Sequence, residues 1–98
     1  MARRVTWTES ALDELGDAAT YIARDSPRYA AALIAEARSA ARSLRTFPRR
    51  GRIIPEIPDD SVREIFVKSY RLIYEIREGD VVILAFLHGA RRSPTEFV

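Results

Sequence analysis

Seven consecutive apolar residues, Val81-Val82-Ile83-Leu84-Ala85-Phe86-Leu87, run into His88, the only histidine of the chain, and then into Gly89-Ala90-Arg91-Arg92. A short apolar run that opens on β-branched residues and closes on glycine reads as a strand buried in a sheet, Val81–His88. Arg71–Arg77 reads as its partner, and Gly79-Asp80 suits a two-residue hairpin turn with glycine first. That turn fixes a register, with Glu78 opposite Val81, Ile73 opposite Phe86 and Arg71 opposite His88. Leu72, Tyr74 and Ile76 then share a face with Val81, Ile83, Ala85 and Leu87, the more apolar face and the one expected against helices. Arg71 and His88 fall on the other face. Side by side, they would make a small basic site able to meet a phosphate.

The rest of the chain supplies what that hairpin needs. Val62–Val67 reads as a third strand. A three-residue turn at Lys68-Ser69-Tyr70 would set Arg63 against Glu75 and leave Arg63 on the open face with Arg71, whereas a two-residue loop would oppose Glu64 and Glu75, two like charges. Arg3–Trp7 alternates polar and apolar residues, which suits a short first strand. Thr8 is a good N-cap, Glu9 favours the positive end of a helix dipole, and Leu12, Leu15, Ala19 and Ile22 recur at helical spacing to about Arg24. Ser26-Pro27 starts a second helix as N-cap and first residue. Its buried face is expected to hold Ala30, Leu33, Ile34, Ala37, Ala41 and Leu44, and Pro48 stops it. Arg49–Asp60 reads as a surface loop. The expected architecture is α+β: an N-terminal strand, an antiparallel helix hairpin and a three-stranded antiparallel meander, in one domain spanning residues 1–98.

Composition narrows the chemistry. There is no cysteine, hence no disulfide framework or thiolate chemistry, and a reducing cytoplasm is the expected compartment. One histidine and scattered carboxylates make a metal site improbable, so no metal and no cofactor are expected. The apolar stretches are too short for a membrane span, and Met1-Ala2-Arg3-Arg4 is not followed by a signal-peptide core. Fifteen arginines stand against the single Lys68, and they are unevenly placed. Arg42 to Arg52 holds five arginines and no acid, while Glu9 to Asp17 holds four acids and no base. Arginine's planar fork grips phosphate or carboxylate bidentately, which makes the second half the anion-facing half. An arginine-rich genome would give the same bias without any ligand.

In this order the chain resembles the RelE/ParE superfamily of type II toxin–antitoxin toxins, leaning to its ParE branch. The likeness rests on Trp7 and Ala11, on Phe47-Pro48 and Gly51-Arg52, and on Pro55-Glu56-Ile57 and Val62-Arg63-Glu64. Tyr70-Arg71-Leu72-Ile73-Tyr74 and Leu87-His88-Gly89-Ala90-Arg91-Arg92 complete it. The resemblance implies a small cytoplasmic toxin held silent by a ParD-like or RelB-like antitoxin laid across its sheet and helix hairpin. ParE-like members poison DNA gyrase. RelE-like and YoeB-like members cut mRNA on the ribosome.

Cleavage of RNA without a metal needs a base for the 2′-OH, an acid for the leaving oxygen and cations for the phosphorane. By likeness to the YoeB type, Glu56 matches the catalytic glutamate, Arg71 the phosphate clamp and His88 the imidazole, with Arg49, Arg52 and Arg63 as further phosphate contacts. Two departures weigh against that reading. The YoeB type carries an aromatic directly after its histidine, where this chain has Gly89. The RelE type uses loop lysines and a tyrosine near the C-terminus, where this chain has arginines and Phe97. The Leu-His-Gly-Ala-Arg-Arg ending resembles ParE-type sequences, in which Arg91 and Arg92 would join a target-binding rim. Each residue also has a structural alternative. His88 could hold a strand end, Arg71 could pair with Glu64 or Glu75, and Glu56 could be a solvated loop acid.

Overall fold

The computed structural model of the chain describes residues 3–89. Strand β1 (Arg4–Trp7) turns at Thr8 into helix α1 (Glu9–Ala23). The Thr8 backbone is extended, and its Oγ1 accepts the Ala11 N–H, satisfying one of the amides that a helix start leaves unpaired. Helix α2 (Pro27–Ser43) begins the same way: Ser26 Oγ accepts the Tyr29 N–H, and Pro27 stands where no amide is needed. A single 3₁₀ turn, Pro48–Arg50, leads to the two-residue strand β2 (Arg52–Ile53) inside the segment expected as loop. Strands β3 (Val62–Val67), β4 (Tyr70–Arg77) and β5 (Asp80–His88) form the meander. The expected α+β order stands, in one sheet of strand order β1-β5-β4-β3-β2 with β1 parallel to β5.

The helix hairpin covers one face of this sheet. Ala11, Leu15 and Ala18 of α1 and Leu33, Ala37 and Ala41 of α2 meet Ile65, Val67, Leu72, Tyr74, Val81, Ile83 and Phe86. The alanines let helix and sheet approach closely. Leu12, expected on this stripe, lies 52% exposed, because Ala11 and Leu15 already face the sheet and Leu12 is turned past them. On the other face, Ile54 and Ile57 from the loop after β2 pack over Val62, Ile73, Ala85 and Leu87. The protein therefore has two apolar layers, and each strand residue must belong to one.

Both turns of the meander differ from expectation, and the differences decide which layer each residue joins. Lys68-Ser69 is a two-residue turn with Val67 opposite Tyr70, so Arg63 faces Tyr74 and Glu64 faces Ile73. Lys68 adopts φ of 54°, unusual for a side-chain-bearing residue. Its ammonium stacks over the Tyr29 ring at 4.5 Å and pairs with Glu36 at 3.3 Å, and Gly89 N–H donates to the Ser69 carbonyl at 2.7 Å. Arg63 is consequently on the helix-side face, away from Arg71. The second turn is Glu78-Gly79, closed by Arg77 and Asp80, with Gly79 supplying φ of 76° at the second turn position and not the first.

A bulge then interrupts β4–β5 pairing. Tyr74 faces Ile83, Ile73 faces Ala85, and Leu84 is the extra residue of β5. Beyond it Leu72 faces Phe86, Arg71 faces Leu87 and Tyr70 faces His88. The expected opposition of Arg71 and His88, like that of Ile73 and Phe86 or Glu78 and Val81, is overturned. Ala85 and Leu87 pass to the outer layer, and the larger Phe86 enters the helix side, stacked on Tyr70 at 5.1 Å. The polar groups at the bulge are met by the first helix and its cap. Thr8 N–H and Oγ1 donate to the Ile83 and Leu84 carbonyls, and Phe86 N–H donates to Glu14 Oε1 at 2.9 Å.

Tyr74 ties the meander to the segment after α2. Its buried Oη donates to the Pro48 carbonyl at 2.6 Å and accepts the Gly51 N–H at 2.9 Å. A Cβ on Gly51 would stand 2.5 Å from that hydroxyl and 2.8 Å from the Glu64 carbonyl, so glycine is the residue that fits. Burial raises the Tyr74 pKa above its ordinary 10.0, against smaller lowering effects of the Gly51 hydrogen bond and of Arg63 and Arg50. The unfolded chain therefore loses this proton first; the contribution is whole below pH about 10 and fades as pH rises through the folded value. Tyr74→Phe should cost about 1–3 kcal/mol in urea denaturation at neutral pH, since it strands the buried Gly51 amide and a half-buried Pro48 carbonyl. It should also flatten the alkaline loss of stability, and an identical pH profile in the two proteins would contradict the assignment.

Candidate functional site

Alternation along β3 places Glu64 on the outer face, beside Arg52 of β2 and within reach of Arg71 on β4. Its side chain is fully buried. Arg71 Nε and Nη2 both approach Glu64 Oε1, and Arg52 Nε meets Oε2. Arg71 is itself 8% exposed at its side chain, whereas Arg52 lies open to solvent with its guanidinium 5.3 Å from the Phe66 ring. A buried carboxylate held by two guanidiniums is a tie across three strands. It joins β2, β3 and β4. Of the two partners open to Arg71 in the sequence, the structure selects Glu64; Glu75 pairs with Arg77 at 2.7 Å.

His88 is exposed at the end of β5, on the helix-side face. Its ring meets Tyr70 edge-on, with centroids 5.4 Å apart. It stands on a crest between two shallow grooves. One, of about 220 Å³, is lined by Glu14, Asp17 and Ala18 of α1 with Tyr70 and Phe86. The other, of about 230 Å³, is lined by Tyr21, Ile22 and Tyr29 with Lys68 and Ser69. Tyr21 and Tyr29 are both exposed, and with the half-buried Tyr70 they form an aromatic rim around one imidazole and one ammonium. Sequence reading missed Tyr21, Tyr29 and Lys68. The available signal was two aromatics standing off the apolar stripes of their helices.

The remaining sequence candidates fall elsewhere. Glu56 is exposed in the loop whose neighbours Ile54 and Ile57 anchor it over the outer face. Arg49 is exposed in the 3₁₀ turn. Arg63 straps the same segment, donating to the carbonyls of Arg49 at 3.3 Å, Gly51 at 3.1 Å and Asp60 at 3.0 Å. Arg91 and Arg92 lie outside the described residues. Arg71 and His88 thus leave the sheet on opposite faces, and Glu56 belongs to a loop on the Arg71 side. At Gly89, a Cβ would stand 2.9 Å from the Ser69 carbonyl, so an aromatic there, as in the YoeB type, would have to displace the Lys68-Ser69 turn. Among the described residues no three His, Asp or Glu side chains gather as a metal site would require.

Comparison with known proteins agrees with this architecture. The family described as ParE toxin of type II toxin-antitoxin system, parDE, matches residues 5–93. Toxin RelE2 of Caulobacter vibrioides is 34% identical over 89 residues, covering 90% of this chain and 97% of that protein. Putative toxin Y4kP of Sinorhizobium fredii is 33% identical over 96 residues, covering 94% of each. A structure of the chromosomal ParDE TA system from P. aeruginosa superposes with a TM-score of 0.72 over 89% of this chain and 96% of that one, at 18% identity, a likeness of fold.

The outer-face tie makes a direct prediction. Glu64→Ala removes the carboxylate both arginines share and should lose about 3–5 kcal/mol of stability, whereas Arg71→Ala leaves Glu64 with Arg52 and should lose less. The double substitution should cost clearly less than the sum, and strict additivity in the double-mutant cycle would contradict a direct pair.

Proposed function

This chain belongs to the ParE toxin family of type II toxin–antitoxin systems, and from that premise we propose that it inhibits growth by binding and poisoning DNA gyrase. The observation that carries this reading is the separation of the residues a nuclease would need. Cutting an RNA strand requires a base, an acid and cations around one phosphate. Here the Arg71 guanidinium is committed to Glu64 on the outer face, and the His88 imidazole stands on the helix side. What surrounds His88 is a rim of the exposed Tyr21 and Tyr29, the half-buried Tyr70 and Lys68. Tyrosine-rich surfaces with a few fixed charges are the usual composition of protein-binding centres.

Neutralisation follows the same chemistry. The cognate ParD-like antitoxin brings apolar side chains to the exposed aromatics and acids to the surplus guanidiniums. The toxin works in the cytoplasm, where its target is, and no described helix is long and apolar enough to cross a membrane.

The test is a supercoiling and cleavage assay with purified toxin and gyrase from the toxin's own host, with and without ATP. Linear, gyrase-linked DNA should accumulate. Tyr21→Ala and Tyr29→Ala should each lower potency about tenfold. Tyr21→Ala, at the more exposed position, should change stability by no more than about 0.5 kcal/mol, while Tyr29→Ala should cost about 0.5–1 kcal/mol more through its lost contact with Lys68. A flat gyrase assay together with mRNA cleavage on ribosomes would overturn the proposal in favour of the RelE-like activity.

A further inference from the structure

A second basic surface lies on the opposite side of the helix hairpin from Lys68 and His88, where the start of β1 meets the end of α2. Arg38 and Arg42 lie exposed on α2 and Arg45 exposed in the turn just after it, next to the buried Ala37, Ala41 and Leu44. Arg3 N–H donates to the Arg45 carbonyl at 3.2 Å, drawing Arg3 and Arg4 against that side. The result is a cleft of about 470 Å³ walled by Arg3, Arg4, Arg38, Arg42 and Arg45, with Trp7 among its lining residues and no acid.

Ordinary surface charge does not account for this arrangement. Solvated helix faces usually intersperse signs, whereas guanidiniums from two elements converge here. Arg4 reaches Asp80 at 3.5 Å and Arg3 donates to the Arg77 carbonyl at 2.6 Å. Among the described residues no carboxylate lies within ion-pair distance of Arg38, Arg42 or Arg45. Favourable interaction with the helix dipole covers only the last turn, which excludes Arg38 and the strand arginines. Three guanidiniums without a carboxylate partner, beside two more from β1, form a site suited to an anion.

We propose that this cleft grips the phosphodiester backbone of duplex DNA, so that the toxin holds DNA directly and not only through its protein target. Arg38 and Arg42 stand about 6 Å apart along the helix axis, close to the rise of two base pairs, and Arg45 follows in the turn that ends the helix. Guanidinium forks match phosphate oxygens bidentately. Trp7 packs partly inward on the core, so a ligand meets mostly charge and finds no deep apolar pocket for the anchors that hold a peptide. The choice of DNA over RNA rests on the gyrase reading; the anion site itself does not.

Trp7 is the only tryptophan, so its emission reports on the cleft. Purified toxin without gyrase is titrated with a 20-base-pair DNA duplex at several salt concentrations, beside duplex RNA and poly-glutamate. The expected result is saturable change in Trp7 emission with a log–log salt slope of about −4 to −5, the release of counterions from about five phosphates. Arg38→Glu with Arg42→Glu, both exposed, should weaken binding at least tenfold and reduce the slope by about 2. Arg24→Glu with Arg28→Glu changes net charge equally at the hairpin tip and should leave the slope near its original value. No binding at low salt, an equal loss in the hairpin-tip variant, or tighter binding of duplex RNA or poly-glutamate would each overturn the proposal. With gyrase absent, DNA binding can fail while gyrase poisoning persists, and the reverse, so the two readings are separable.

Discussion

The extra residue in β5 decides which face of the sheet the histidine occupies, and with it whether His88 and Arg71 can share a site. Side chains alternate across a sheet with a period of two, so one added residue transfers all that follow to the other face. After Leu84, Phe86 and His88 go to the helix side while Ala85 and Leu87 join the outer layer. The bulge is held from the far end of the chain. Thr8 caps α1 and also donates to the Ile83 and Leu84 carbonyls, and Glu14 accepts the Phe86 amide where β1 has ended. The strand–helix corner at the N-terminus therefore fixes the orientation of the histidine rim at the other end.

Local signals were legible and long-range ones were not. Thr8, Ser26-Pro27 and the apolar runs identified both helices, their caps and the meander, because those features depend on a few neighbouring residues. The two turns were misplaced by one residue or more, since each has neighbouring candidates that local preference ranks closely. Lys68 in a left-handed conformation is disfavoured locally and is held by Tyr29, Glu36 and the Ser69–Gly89 contact, all supplied by tertiary structure. The bulge was invisible for a similar reason. Val81-to-Leu87 is apolar on both faces, so its pattern does not say which of Ala85 and Phe86 fills the space beside Tyr70. Among the site candidates, the Glu64 partnership of Arg71 was available as one of two pairings. The arginine cleft was not legible, because residues 3–4 and 38–45 meet only once β1 lies beside α2.

The molecule assigns its charges to separate duties. On the outer face, Arg71 and Arg52 neutralise a buried carboxylate and bind three strands together. Arg63 secures the segment after α2 through backbone carbonyls. The helix side presents an aromatic rim with His88 and Lys68, and the β1–α2 edge presents guanidiniums without acidic partners in the cleft. Under the two separate proposals the rim meets protein and the cleft meets phosphate. A toxin that acts by bridging a protein and its DNA needs two such surfaces and no catalytic centre of its own.

The most direct test of this account is the β4–β5 register in solution, measured by cross-strand nuclear Overhauser effects in the isotopically labelled protein. Contacts should join Tyr74 with Ile83 and then Ile73 with Ala85, leaving Leu84 unpaired, and should place the His88 strand position opposite Tyr70. Continuous pairing that sets Arg71 opposite His88 would contradict it, and would return the guanidinium and the imidazole to one face.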